Sequence, residues 1–234
     1  MKWLALSFAA LAVTASPPAH GERACAPTLA NRLETGSATQ LVTVIARSRG
    51  STQGTLRLWR KRGACWRATA GPWTAWLGQR GTSLVKREGD RRTPTGVFGF
   101  GRVMYGVAPN PGVRFPYRRL VCGDWWVEDP ASPYYNTFRH VRCGSKPPFR
   151  VKSEDMSRSP TAYRHLAVIA YNTSPVVPGR GSGIFLHAST GRPTLGCVSL
   201  PLRQLVATLR WLRPGAARIA IGTAAELRRA AGFP

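Results

Sequence analysis

Short apolar runs separated by glycine, proline and serine make up most of this chain. Gln40 to Ala46 (QLVTVIA) is rich in β-branched residues and predicts a strand. Thr55 to Arg60 (TLRLWR) alternates apolar and polar positions, which predicts its hairpin partner across a Ser/Gly-rich turn. TAWLG and GVFGFGRV continue the short-strand pattern. His165 to Tyr171 (HLAVIAY) is the apolar run expected of a buried central strand. Ile184 to His187 predicts another short strand, and Arg218 to Ile221 (RIAI) one more near the end. The clearest helix has Leu202, Leu205, Val206, Leu209 and Leu212 at helical spacing in LRQLVATLRWL. Pro201 suits its first position, and Pro214-Gly215 ends it. No repeat, low-complexity linker or second domain is evident, so a single β-rich domain with one good helix is expected.

Composition supports many turns: the 234 residues include 24 Gly and 19 Pro, and 43% are hydrophobic, enough for a sizeable core. Charge changes the picture more. There are 34 basic residues against 10 acidic ones, for a formal charge of +24. The excess is spread along the chain and predicts attraction to polyanions. The N-terminus selects among these. Lys2 precedes an apolar run from Trp3 to Ala12, too short to span a bilayer. Val13-Thr14-Ala15 offers small residues for cleavage, and Ser16-Pro17-Pro18 follows. This is the pattern of a cleaved secretory signal, so the expected location is extracytoplasmic: secreted, at the cell wall or in the periplasm. A secreted basic protein meets anionic wall polymers before it meets DNA. Nucleic-acid binding is therefore set aside despite the Trp- and Arg-rich stretch LRLWRKRGACWR, and no membrane span is expected.

Five cysteines are present: Cys25, Cys65, Cys122, Cys143 and Cys197. Outside the cytosol thiols tend to pair, and an odd one left over is an intermolecular link or a reactive thiol. Proximity along the chain suggests Cys25 with Cys65 and Cys122 with Cys143, although four cysteines allow three connectivities. That leaves Cys197. No CxxC occurs, which argues against a structural zinc site, and no metal or other cofactor is expected.

Cys197 lies in FLHASTGRPTLGCVSLP, ten residues after His187. A cysteine is a strong nucleophile only as thiolate, so it needs a base or a lowered pKa. His187 ends a predicted strand and Cys197 precedes the predicted helix. The turn signals between them allow thiol and imidazole to meet. Gly196 leaves the backbone bare beside the thiol, and the amides of Gly196 and Cys197 are candidate oxyanion donors. These features alone leave two readings open, a catalytic pair or a buried structural thiol near a surface histidine.

GSGIFLH followed by PTLGCVSLP resembles the catalytic motif of the L,D-transpeptidase (YkuD-like) family. TPTGVFGF (Thr93 to Phe100) is similar to the segment that opens that domain, and WVEDPASPYYN and HLAVIAYN match in kind. The resemblance covers roughly Leu41 to Gly222. It implies a mainly β fold, a single β-sandwich domain with one or two helices. Residues 1–15 are then the signal peptide, cleaved at about 15–24. Residues 25–92 form an N-terminal β segment of the same domain, 93–222 the catalytic core and 223–234 a C-terminal tail. The resemblance also implies an enzyme that remodels peptidoglycan. Its cysteine attacks a stem-peptide carbonyl to give a thioester, which an amine from a second stem resolves into a cross-link. Carried over, Cys197 is the nucleophile, His187 the proton donor and acceptor, and Ala188 the backbone carbonyl that orients the imidazole. Thr194 takes the family's Ser/Thr position. Leu195 stands where the family often has His, and Ser199 where it often has Arg. Donor-carboxylate recognition then passes to another arginine, and Arg192 is the candidate. Asn172 completes the candidate binding residues; it caps a turn or positions the loop that carries His187.

Other polar and aromatic residues have plainer expectations. His165 is expected to be structural, His140 solvated, and His20 to lie beside the cleavage region. Trp125, Trp126, Tyr134 and Tyr135 fall inside the Cys122–Cys143 loop, as a lid over substrate or as the loop's own small core. Glu128 and Asp129 are expected in ion pairs with nearby arginines, and only secondarily as ligands for a substrate amine. Three functions remain: a cysteine L,D-transpeptidase acting on peptidoglycan stem peptides, a cysteine carboxypeptidase or endopeptidase on the same polymer, and a non-catalytic basic wall-binding module.

Overall fold

A computed structural model describes residues 24–150 and 153–230. The expected signal segment and His20 lie outside the described residues. The strands are β1 (Gln40–Ala46), β2 (Gln53–Arg62), β3 (Cys65–Trp76), β4 (Thr82–Ser83), β5 (Thr93–Pro94), β6 (Gly96–Phe98), β7 (Phe100–Gly106) and β8 (Tyr117–Arg119). They continue with β9 (Asp124–Trp126), β10 (Phe138–His140), β11 (Glu154–Asp155), β12 (Leu166–Ile169), β13 (Phe185–Ala188), β14 (Val198–Leu200) and β15 (Ala217–Thr223). Two helices, α1 (Leu202–Trp211) and α2 (Ala224–Ala230), complete the fold. Ten strands form one sheet in the order β6-β15-β1-β2-β3-β14-β13-β12-β7-β8. β9, β10 and β11 make a separate three-stranded sheet, and β4 pairs with β5. The mainly β architecture is thus as the pattern implied, and two helices fit the one or two that the resemblance implied.

The β-branched run of β1 is buried along almost its whole length. It pairs antiparallel with β2, as the alternating pattern predicted, and parallel with β15. The N-terminal strands therefore belong to the same sheet as the strands that carry the candidate chemistry. α1 turns Leu205 and Leu209 inward, and Leu212 follows just beyond it; all three are fully buried. They join the main core with Val42 and Leu56 from one half of the sheet and Met104 and Leu186 from the other. One helix thus plugs a sheet that curls around it. Two details differ from the pattern. Leu202 remains substantially exposed, because it starts the helix outside the curl. Pro201 is the residue preceding the helix, and its carbonyl accepts from the Gln204 and Leu205 amides. The segment read as a tail contains α2, whose Leu227 is fully buried.

Strand periodicity decides what faces the site. In β13, Leu186 and Ala188 enter the main core, whereas Phe185 joins a second apolar cluster on the opposite face. His187 shares the face of Phe185, since successive side chains alternate. In β14, Val198 and Leu200 enter the main core, and Cys197, just before the strand, belongs to the second cluster. The three-stranded sheet contributes Trp126 to that cluster.

Both expected disulfides are present, Cys25–Cys65 and Cys122–Cys143, and Cys197 is the free cysteine. Among the described residues, no helix is long and apolar enough to cross a membrane.

Candidate active site

A cavity of about 620 Å³ opens on this second face, and Cys197 and His187 both line it. They come from adjacent parallel strands, where Leu186 pairs with Val198 and His187 with Ser199. The Cys197 thiol is held by backbone groups. Cys197 Sγ donates to the Gly183 carbonyl at 3.2 Å and accepts from the Phe185 amide at 3.3 Å. His187 Nδ1 lies 2.8 Å from the Ala188 carbonyl. A carbonyl can only accept, so Nδ1 carries the proton and Nε2 keeps the lone pair that a base needs. The ring of Tyr163 packs edge-on against His187, with centroids 5.7 Å apart.

Burial sets the electrostatics. It pushes the Cys197 thiol up to about 12, with the Phe185 amide opposing and the nearby carboxylates of Glu154 and Glu128 adding to the rise. It pushes His187 down to about 4, against the pull of the Ala188 and Ala162 carbonyls. Both groups are therefore neutral at rest, and no thiolate–imidazolium pair is preformed.

The expected binding residues divide. Arg192 and Thr194 line the cavity with Gly196. Thr194 chiefly shapes the turn before Cys197. Its hydroxyl donates to the Cys197 carbonyl at 2.7 Å and accepts the Gly196 amide at 3.1 Å. This corrects the simplest oxyanion picture, because the Gly196 amide already has a partner. Asn172 does not line the cavity. In a left-handed conformation (φ 52°), it bonds both backbone groups of Val177 and the Gly181 carbonyl. It ties the 172–181 loop into a compact turn ahead of β13, the positioning role. Leu195 is 69% exposed at the cavity wall, and Ser199 is buried beside His187 in the β13–β14 register.

The aromatic residues of the Cys122–Cys143 loop pack on the rest of the protein, neither as a lid nor as a core of the loop's own. Trp126 is buried against Phe185 and donates to Asn136, and Trp125 packs on Phe149. Tyr135 is buried and its hydroxyl bonds Glu88, while Arg139 lies over the Tyr134 ring. None of the four lines the cavity. His165 bonds Tyr117, a structural role, and the half-exposed His140 bonds Asp124.

Sequence reasoning missed the charge on the cavity wall. Lys86 lines it, buried and paired with Asp90 at 2.7 Å, and Arg91 joins Arg192 there. Three of the ten acidic residues, Glu88, Glu128 and Glu154, also line it. The ion-pair expectation for Glu128 fails: no arginine pairs with it among the described residues, and it faces the cavity instead. Asp129 accepts from the backbone amides of Ala131 and Arg150. The scarcity of acids in so basic a chain was the available signal; which of them converge only the fold reveals.

The family described as "L,D-transpeptidase catalytic domain" (YkuD) matches residues 48–221. No curated protein matches the chain. Among solved structures it is similar to Bd1075 of Bdellovibrio bacteriovorus, with 13% identity over 83% of this chain and 54% of that one, at a TM-score of 0.40. It is also similar to the helical cell shape determining protein Pgp2 from Campylobacter jejuni, with 14% identity over 87% of this chain and 62% of that one, at a TM-score of 0.40. The chain thus spans less than two thirds of either. The family match extends over well more than half of the sequence and includes both His187 and Cys197, and the chain belongs to the L,D-transpeptidase catalytic domain (YkuD) family.

Proposed function

We propose that this protein is an extracytoplasmic L,D-transpeptidase that joins peptidoglycan stem peptides through a thioester on Cys197. The observation that carries this reading is that the free thiol and a buried imidazole of lowered pKa line one cavity. Cys197 attacks the donor carbonyl while His187 Nε2 takes its proton. His187 then protonates the departing amine, and an acceptor amine resolves the thioester. Arg192 and Arg91, at the cavity wall, suit the donor carboxylate. The Gly196 amide serves as an oxyanion donor if it exchanges Thr194 for the developing charge. The two disulfides fit an oxidising compartment.

Intact-mass measurement after incubation with a stem tetrapeptide tests the reading. The native protein should gain the mass of a donor acyl group, and Cys197→Ala should gain none. His187→Gln should slow acylation by about 10²–10⁴-fold, the usual worth of a general base. Absence of any adduct on the native protein would leave a non-catalytic wall-binding module. Release of terminal D-alanine with water as the sole acceptor would make it a carboxypeptidase.

A further inference from the structure

Resolution of the thioester raises a question that acylation does not. Once His187 has given its proton to the leaving amine, the attacking acceptor amine must lose one. The cavity holds a second group suited to take it. Glu128 follows β9 and is half-buried at the cavity wall. Its backbone amide is fixed by Ser153 Oγ at 3.2 Å, but among the described residues no hydrogen bond or ion pair engages its carboxylate. The other two acids on the wall are differently placed. Glu88 is held by Tyr135 and Ser182, and Glu154 by Tyr163 and Ser159.

Gly183 fixes where the Glu128 carboxylate lies. Its carbonyl accepts the Cys197 thiol, and a Cβ at this residue would collide with Glu128 Oε1. Glu128 therefore packs against the residue that holds the nucleophile. The positive φ of Gly183 (61°) and this close approach both require glycine there.

We propose that Glu128 is a second catalytic base, which accepts the proton of the acceptor amine in the transfer half-reaction. The proposal rests on the thioester reading above. The amine nitrogen bonds to the thioester carbonyl carbon while its N–H proton passes to the Glu128 carboxylate. The C–S bond then breaks, and the sulfur takes that proton back. The products are the amide, the free thiol and the regenerated carboxylate. An ordinary carboxylate is a weak base for this work. Burial and the nearby charges of Glu154 and Glu88 raise Glu128 to about 8, with Lys86 opposing, so its carboxylate is a stronger base than an ordinary one, and aminolysis should rise with pH through about 8 as that form becomes the major one.

The test separates the two half-reactions by intact mass. The protein is first acylated with stem tetrapeptide, and the thioester is then challenged with a tripeptide stem bearing a free side-chain amine. Glu128→Gln should slow aminolysis by about 10²–10⁴-fold more than it alters thioester formation. Glu128→Asp should recover part of that loss. Native-like aminolysis in Glu128→Gln overturns the proposal. So does an equal fall in both half-reactions, or a Glu128→Asp variant no better than Glu128→Gln. Failure of the native protein to form a thioester would instead refute the reading on which the proposal rests.

Discussion

At the scale of single residues, burial rather than charge pairing defines the site. A thiol raised to about 12 and only 9% exposed should react slowly with iodoacetamide at pH 8, far more slowly than a free cysteine. Peptide mapping under denaturing, non-reducing conditions should then place the label on Cys197 alone. Acylation by substrate should hold a plateau through neutral pH and fall only as His187 protonates near pH 4. Glu128 carries a stability signature. Its folded value of about 8 exceeds the ordinary 4.5, so the folded state holds its proton more tightly than the unfolded one. The stabilisation is complete below about pH 4.5 and is lost as pH rises through about 8. Glu128→Gln should therefore raise the melting temperature more at pH 8.5 than at pH 5. An equal change at both would contradict the buried carboxyl. His187, shifted the other way, contributes a stability loss as pH falls through about 4.

At the scale of elements, the turn before β14 and the small sheet are the parts whose loss should be felt at the cavity. Thr194→Val removes a hydroxyl that bridges the Gly196 amide and the Cys197 carbonyl. A cost of about 1–3 kcal/mol is expected, since the partners lose their hydrogen bonds, read by denaturant unfolding. The Cys122–Cys143 bridge closes a segment of sequence separation 21 that contains β9 and β10. Replacing both cysteines by serine should cost about 3 kcal/mol by chain entropy. It should also loosen Trp126, and with it the apolar wall behind Cys197. Hydrogen exchange should show the small sheet opening before the ten-stranded one.

At the scale of the whole molecule, the basic excess is general whereas the carboxylates are concentrated. The formal +24 is spread over the surface, whereas three of the few carboxylates converge on one cavity. Attraction to an anionic wall should be long-ranged and salt-sensitive, screened over about 8 Å at physiological ionic strength. Sedimentation with purified wall should show retention collapsing as salt rises, and Cys197→Ala should bind as the native protein does. Retention that ignores salt would point to specific recognition of glycan or peptide.

Local pattern by itself determined much of this protein. The β-branched run of β1, the alternation of β2 and the leucine spacing of α1 each specify an element, because those periods fit only one backbone geometry. The odd cysteine and its nearby histidine marked the chemistry, because few residue types supply a nucleophile and a base. What the tertiary structure decided is whatever depends on residues distant in sequence. The parallel register that sets His187 beside Ser199 brings the imidazole and thiol to one face. Trp126 and Tyr135 reach out of their loop to Phe185 and Glu88, partners far away in sequence. Glu128 was expected to pair with an arginine, as a carboxylate in a basic chain generally would. The fold instead sets it half-buried in the cavity wall beside Gly183, and its partial desolvation there depends on neighbours that no local pattern in the chain identifies.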